Sequence, residues 1–434
     1  MTKTFLKSLV VLLKIFFKDK NLTIFYLFAL RSKSLFSHYK TSCMRKFFLV
    51  LIIFFSVHVT AQSVKKLHQK AVLVDTHNDV LSSSVLEGKD ISHRLTTGQS
   101  DFERWKEGGL DVQFFSIWTD RTPRNKEGFF KDANQEIDSL EMIALRNPSQ
   151  MVLAANYKQV KKGIRQKKLV GLIGVEGGHM IEDDLVKLDS LQKRGMRYMT
   201  LTWNNSTSWA TSAMDETQHS DSLPHKGLTE FGKQVVRRMN DLGVIVDLSH
   251  TGERTFYDAI AVATKPVLLS HSSVWNICPV FRNVKDGQIK AVAKNGGVIC
   301  INFYSGFLDS NFAKKMDQLE GTEGKRVKDS IGHNVDAAKL NEIWAKYFSE
   351  KLEPYRPSIS KLVDHIDYIV KLVGDDYVGI GSDFDGVSSL PVGMDDVTKY
   401  PLITEELKRR GYSNKSIKKI LGGNVMRVMK ANFK

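Results

Sequence analysis

Cysteine is nearly missing from this chain. The three thiols, Cys43, Cys278 and Cys300, are too few for a disulfide scaffold, and their spacing fits no zinc motif. Cys300 falls inside an apolar run, as a small buried residue would, while Cys278 falls in a loop; pairing between the two stays open. No glycine-rich phosphate loop follows the first apolar run, which argues against an open dinucleotide-binding sheet. Internal repeats and low-complexity tracts are absent. So is any basic stripe interleaved with aromatics, and the charge explains why none is needed. Of the formal +15, residues 1–61 hold ten Lys and Arg against one Asp, a net +9, leaving +6 for all the rest. That is ordinary for a large domain and excludes a nucleic-acid footprint. Val425–Lys434 is polar and basic, without the apolar tail of a lipid-anchor signal.

What is present begins with a leader. Met44-Arg-Lys precedes the apolar stretch Phe47–Val57, and Val59-Thr60-Ala61 supplies a small-residue cleavage site before Gln62. The stretch is short for a membrane span. Residues 44–61 are therefore expected to be a signal peptide and 62–434 an exported single domain, periplasmic or secreted. Residues 1–43 are read as an extension upstream of a true start at Met44, the alternative being an N-terminal anchor. Membrane association is expected only if residues 1–61 are retained.

Beyond the leader, apolar β-branched runs alternate with amphipathic segments. Eight strands are predicted over 71–77, 110–118, 170–178, 196–203, 243–250, 266–273, 296–304 and 377–386. Helical spacing appears over 183–194, 229–242 and 360–373. Eight strand–helix units predict an α/β fold, a (β/α)8 TIM-type barrel, with the doubly wound sheet as runner-up. Barrel chemistry sits at the C-terminal strand ends. There the chain places His77 with Asp79, then Glu176, His250, His271 and Asp383. Each alone reads as a capping or hydrogen-bonded core residue. Five of eight strands ending in nitrogen and oxygen donors point instead to a metal centre. Residues 305–357 interrupt the alternation as a long helical insertion, either a lid or subunit contact or a solvated excursion.

These residues also resemble a known family. DTHNDVL at 75–81, VGLIGVEGGHMI at 170–181 and GMRYMTLTWNNSTSWA at 195–210 resemble the membrane (renal) dipeptidase family of zinc peptidases, within the amidohydrolase-like enzymes. So do GLTEFGKQVVRRMNDLGVIVDLSHTG at 227–252, HSSVWNICPVFRNV at 271–284, VGIGSDFDGV at 378–387 and ILGGNVMRVM at 420–429. The resemblance runs from about Val72 to the end. It implies a barrel with two zinc ions per chain, hydrolysing dipeptides through a metal-bridging hydroxide. By resemblance, His77 and Asp79 hold one ion, Glu176 bridges, and His250 and His271 hold the other. Asp383 contacts the bridging water, and Arg282 receives the substrate carboxylate through its planar fork. Trp203, Asn204 and Tyr304 complete the expected substrate-binding set.

One departure stands out. Many members have a histidine where this chain has Trp203, and indole cannot take up a proton. Asn204 or Asn205 is then a candidate oxyanion donor. His179 is expected to orient its loop and His365 to be structural. The alternative activity is a dizinc hydrolase of another small carboxylate-bearing amide, an N-acyl amino acid or a cyclic amide. A non-catalytic barrel would be expected to have lost ligands, and none is missing. The family often dimerises, which makes a homodimer an expectation.

Overall fold

The computed structural model describes residues 62–326 and 337–433. The described residues from Val64 onward form one compact unit. The expectations for residues 1–61 lie outside the described residues. Among the described residues no helix is long and apolar enough to cross a membrane.

Nine strands build the sheet: β1 (Val74–Asp75), β2 (Val112–Ile117), β3 (Met151–Leu153), β4 (Leu169–Glu176), β5 (Met196–Thr200), β6 (Ile245–Asp247), β7 (Leu268–Leu269), β8 (Val298–Ile301) and β9 (Val378–Ile380). All pairings are parallel, in the order β2-β1-β9-β8-β7-β6-β5-β4-β3, and an added β2–β4 pairing closes the ring. The closed barrel has eight strands, as the strand count predicts. The ninth, β3, flanks the first residues of β4 and has no counterpart in the sequence reading.

Strands in such a sheet are covered on both faces, so they read as continuous apolar runs. β4 is buried along its whole length. Inside the ring, Val74, Val112, Phe114, Val170, Leu172, Tyr198, Ile245, Leu268, Val298 and Cys300 pack on one another. These are alternate residues of their strands, pointing to one side by the period of two. The helix Asn424–Asn432 joins that interior cluster through Val425, Val428 and Met429. The outer strand faces pack instead against the surrounding helices. One of these, Glu230–Leu242, starts where Thr229 accepts from the Gly232 amide, a cap worth about 1 kcal/mol.

Between β8 and β9 the predicted insertion carries the helices Ser305–Leu308, Ser310–Gln318 and Ala337–Leu352, and the helix Ile359–Val373 follows it. The strands themselves end earlier than predicted. β1 stops at Asp75, β6 at Asp247 and β9 at Ile380, so His77, Asp79, His250 and Asp383 leave from turns beyond the strands.

Candidate metal centre

Those turns have unusual backbones. His250 and Asp383 take φ of 61° and 64°, the left-handed region, which costs a non-glycine residue roughly 1 kcal/mol or more. The Asp383 amide donates to His77 O at 3.2 Å and the Asp79 amide to Phe384 O at 3.0 Å, tying the turns after β1 and β9 together. Beside them Gly386 is required by space. A Cβ there would lie 2.2 Å from Asp79 Oδ2 and 2.6 Å from Asp383 Oδ1.

The five residues expected to be ligands, with Asp383, meet at the barrel mouth. Two overlapping groups, His77–Glu176–His271 and His77–Asp79–Asp383, have ligand atoms within 4.8 Å of one another. Glu176 ends the inward column of β4 and divides its oxygens. Oε2 lies 3.3 Å from His77 Nε2, while Oε1 lies 2.9 Å from His250 Nε2 and 3.4 Å from His271 Nε2. His77 Nε2 lies 3.4 Å from Asp79 Oδ2 and 4.0 Å from Asp383 Oδ1. It is buried without a hydrogen-bond partner.

The partners of the other ring nitrogens decide where the imidazole lone pairs point. His250 Nδ1 lies 2.9 Å from Asn204 Oδ1, an atom that only accepts, so Nδ1 carries the proton. Ser270 Oγ gives its proton to Asp247 Oδ2 at 2.6 Å and accepts from His271 Nδ1 at 2.8 Å. Both Nε2 atoms therefore present lone pairs, and they face each other at 2.9 Å with Glu176 Oε1 beside them. Burial holds both rings neutral: His250 is pushed down to about 3, and His271 well below the usual histidine range. Three lone-pair donors converging in a buried space fit a cation. Around His77 burial disfavours the charge, but Tyr198, Glu176 and Asp79 outweigh it and hold the ring well above its usual range. That pocket too favours positive charge.

Several groups here escaped the sequence reading. Tyr198 Oη lies 2.9 Å from His77 Nδ1, Ser116 Oγ donates to Glu176 Oε2 at 3.1 Å, and Asn302 Nδ2 donates to Asp383 Oδ2 at 2.7 Å. The available signal was a polar residue at an inward position near the top of a strand, as at Ser116 and Tyr198. Asn204 lines the cavity, but its side-chain oxygen holds His250. Burial pushes Asp383 up to about 8, with the carboxylates of Asp79 and Glu176 adding to it.

Above the ligands lies a cavity of about 500 Å³ lined among others by Trp118, Trp203, Arg282, Tyr304 and Phe307. Arg282 is buried, donates Nη2 to His271 O at 3.2 Å and stacks over Phe307 at 5.4 Å; its Nε is unpartnered. Burial lowers its pKa to about 10. His179 stands outside the ligand groups, with Nε2 3.3 Å from Thr119 O and its ring edge-on to Phe129. His365 uses both ring nitrogens on the backbone, at Val274 N and Leu308 O. Cys278 and Cys300 are buried and unpaired with each other.

The profile of the family described as membrane dipeptidase (peptidase family M19) matches residues 61–433. The chain belongs to the membrane dipeptidase family. Solved structures agree with this dipeptidase at the level of the fold. The probable dipeptidase PvdM from Pseudomonas aeruginosa is 25% identical with a TM-score of 0.72, over 86% of this chain and 98% of that one. An amidohydrolase from Pseudomonas aeruginosa is 20% identical, TM-score 0.64, over 85% and 99%. A metallo peptidase from Rhodobacter sphaeroides, liganded with a phosphinate mimic of the dipeptide L-Ala-D-Ala, is 21% identical, TM-score 0.65, over 83% and 99%. Membership makes this dipeptidase a metal-dependent enzyme acting on small peptides.

Proposed function

We propose that the chain hydrolyses dipeptides at a dinuclear zinc centre held by His77, Asp79, Glu176, His250 and His271. The observation that carries this reading is the divided carboxylate of Glu176. One oxygen faces His77 and the other faces two neutral imidazoles whose lone pairs oppose each other at 2.9 Å. One donor set on each side of one carboxylate suits two ions. Zinc bound there supplies Lewis acidity toward the peptide carbonyl and a water that ionises near neutral pH.

The protein's own groups do the rest. Asp383 Oδ2 is engaged by Asn302, and with cations bound beside it the carboxyl would ionise, so that Oδ1 could take the proton of the attacking water. As the new C–O bond forms and the C–N bond breaks, Oδ1 hands that proton to the departing amine. Arg282 is a cation buried beside a cation-binding cluster, an arrangement an anion relieves. The substrate's C-terminal carboxylate is that anion, bound by the part of the guanidinium not spent on His271 O.

Metal analysis and a substrate panel test the reading together. The zinc-loaded protein should contain about two zinc ions per chain and cleave free dipeptides, with C-terminally amidated ones cleaved poorly. Arg282→Ala should lower kcat/KM for free dipeptides roughly 30- to 1000-fold, as loss of a buried charge pair does, and change the amides little. Equal losses on both, or full activity without metal, would refute it. Faster cleavage of N-acyl amino acids than of dipeptides would move the substrate to the wider class of carboxylate-bearing amides. Export with cleavage before Gln62 belongs to the same proposal and rests on the basic, apolar and small-residue pattern of residues 44–61. Mass analysis of the native protein should find Gln62 first; peptides from residues 1–43 would refute it.

A further inference from the structure

The cavity has a second wall that the catalytic groups do not use. Trp118 follows β2 and Trp203 follows β5; both are half-buried and line the cavity, edge to face at 5.2 Å and 67°. Trp203 also lies 6.3 Å from the His250 ring. Neither indole carries charge or can exchange a proton in the working range.

Trp118 is held firmly. Its amide donates to Glu136 Oε2 at 2.9 Å and its carbonyl accepts from Arg124 Nη1 at 2.8 Å, while Arg124 and Glu136 also pair with each other. A residue gripped on both sides of its backbone presents its side chain as a fixed surface.

Strand order places that surface relative to Arg282. Around the closed ring β2 and β7 are four strands apart, hence diametrically opposed. Arg282 is fastened to the mouth of β7 through His271 O, so Trp118 stands across the ligand cluster from it. Resting on the reading above, a dipeptide with its carboxylate on Arg282 has its scissile carbonyl over the ligands. Its first residue then continues toward the far rim, where Trp118 stands, with Trp203 packed against it from the side of β5. The geometry points to these two indoles as the wall that selects the substrate's N-terminal side chain, favouring dipeptides that open with a bulky apolar residue.

The test uses the full zinc-loaded chain on Gly-Ala, Leu-Ala and Phe-Ala, which share one C-terminal residue. kcat/KM for Phe-Ala should exceed that for Gly-Ala by about 10- to 100-fold, the usual effect of burying an aromatic side chain. Trp118→Ala and Trp203→Ala should each bring the ratio to within roughly threefold of unity. Trp118→Phe should keep most of it, because the Trp118 indole N–H has no hydrogen-bond partner to lose, and it serves if an alanine variant fails to fold. Equal cleavage of all three by the wild type would overturn the wall and leave the dipeptidase reading standing. So would a preference that survives both alanine variants. A wild type that cleaves no dipeptide would sink the underlying reading, and the wall with it.

Discussion

At the residue scale, the centre rests on atoms that fix the ligands as much as on the ligands. Tyr198, at an inward position of β5, reaches up to His77 Nδ1. Partners of this kind set ring orientation and donor strength. Tyr198→Phe keeps the volume and removes only the hydroxyl, so zinc affinity should fall about 10- to 100-fold in a chelator competition while the fold survives. Glu176→Ala removes the bridge between the two donor sets; zinc content should drop below two per chain and activity should sink to background. Unchanged zinc content would show that the two sets do not share this carboxylate. The ligand types were readable in the sequence because each follows an apolar run that has no reason to admit a charge. Their supports were not. Ser116, Tyr198 and Asn302 look like ordinary strand residues until the ring brings β2, β5 and β8 to one mouth.

At the scale of elements, the strands were legible and their ends were not. An apolar run does not show where hydrogen bonding stops, and the left-handed turns at His250 and Asp383 leave no mark in hydrophobic periodicity. β3 is three residues long, too short for a period of two to register. Packing between elements is tight where β4 meets β5. Gly174 pairs with Tyr198, and a Cβ on it would lie 2.0 Å from the Tyr198 ring. Gly174→Ala should therefore destabilise the fold by about 1–3 kcal/mol in denaturant unfolding and, by moving Tyr198, weaken zinc binding too. A second stitch joins β1 to β2, where Asp111 Oδ2 accepts from the Leu73 amide at 2.9 Å. Burial pushes Asp111 up to about 6 from 3.8. The protonated form thus favours the folded state: its contribution is complete below about pH 4 and lost as pH rises through about 6. Asp111→Asn should flatten stability across that window and raise it at pH 7 by roughly 1–3 kcal/mol, measured as unfolding free energy against pH.

At the scale of the whole molecule, the alternation of strands and helices gave a parallel sheet, and the count of eight units with no glycine-rich loop after the first favoured the barrel over the open sheet. The helix Asn424–Asn432 was placed by nothing in the local pattern, since its apolar residues serve the inside of the ring and not a neighbouring helix. Metal and fold are coupled at this scale as well. Neutral imidazoles and buried carboxylates gathered at one mouth should bind zinc far better folded than unfolded. Removing it from a protein held at a hundred times Kd should cost about 2.7 kcal/mol per ion, seen as a lower Tm in calorimetry. No change on chelation would mean the ions do not bind where the donors converge.

The placement of that helix also bears on the order in which the molecule can be made. Val425, Val428 and Met429 seal the floor under residues contributed by β1, β2, β4 and β8. The strands emerge from the ribosome first, and the plug that completes their interior emerges after all of them. Until it does, the inner valines and Phe114 have an open side. Synthesis and sealing are separated by nearly the full length of the barrel.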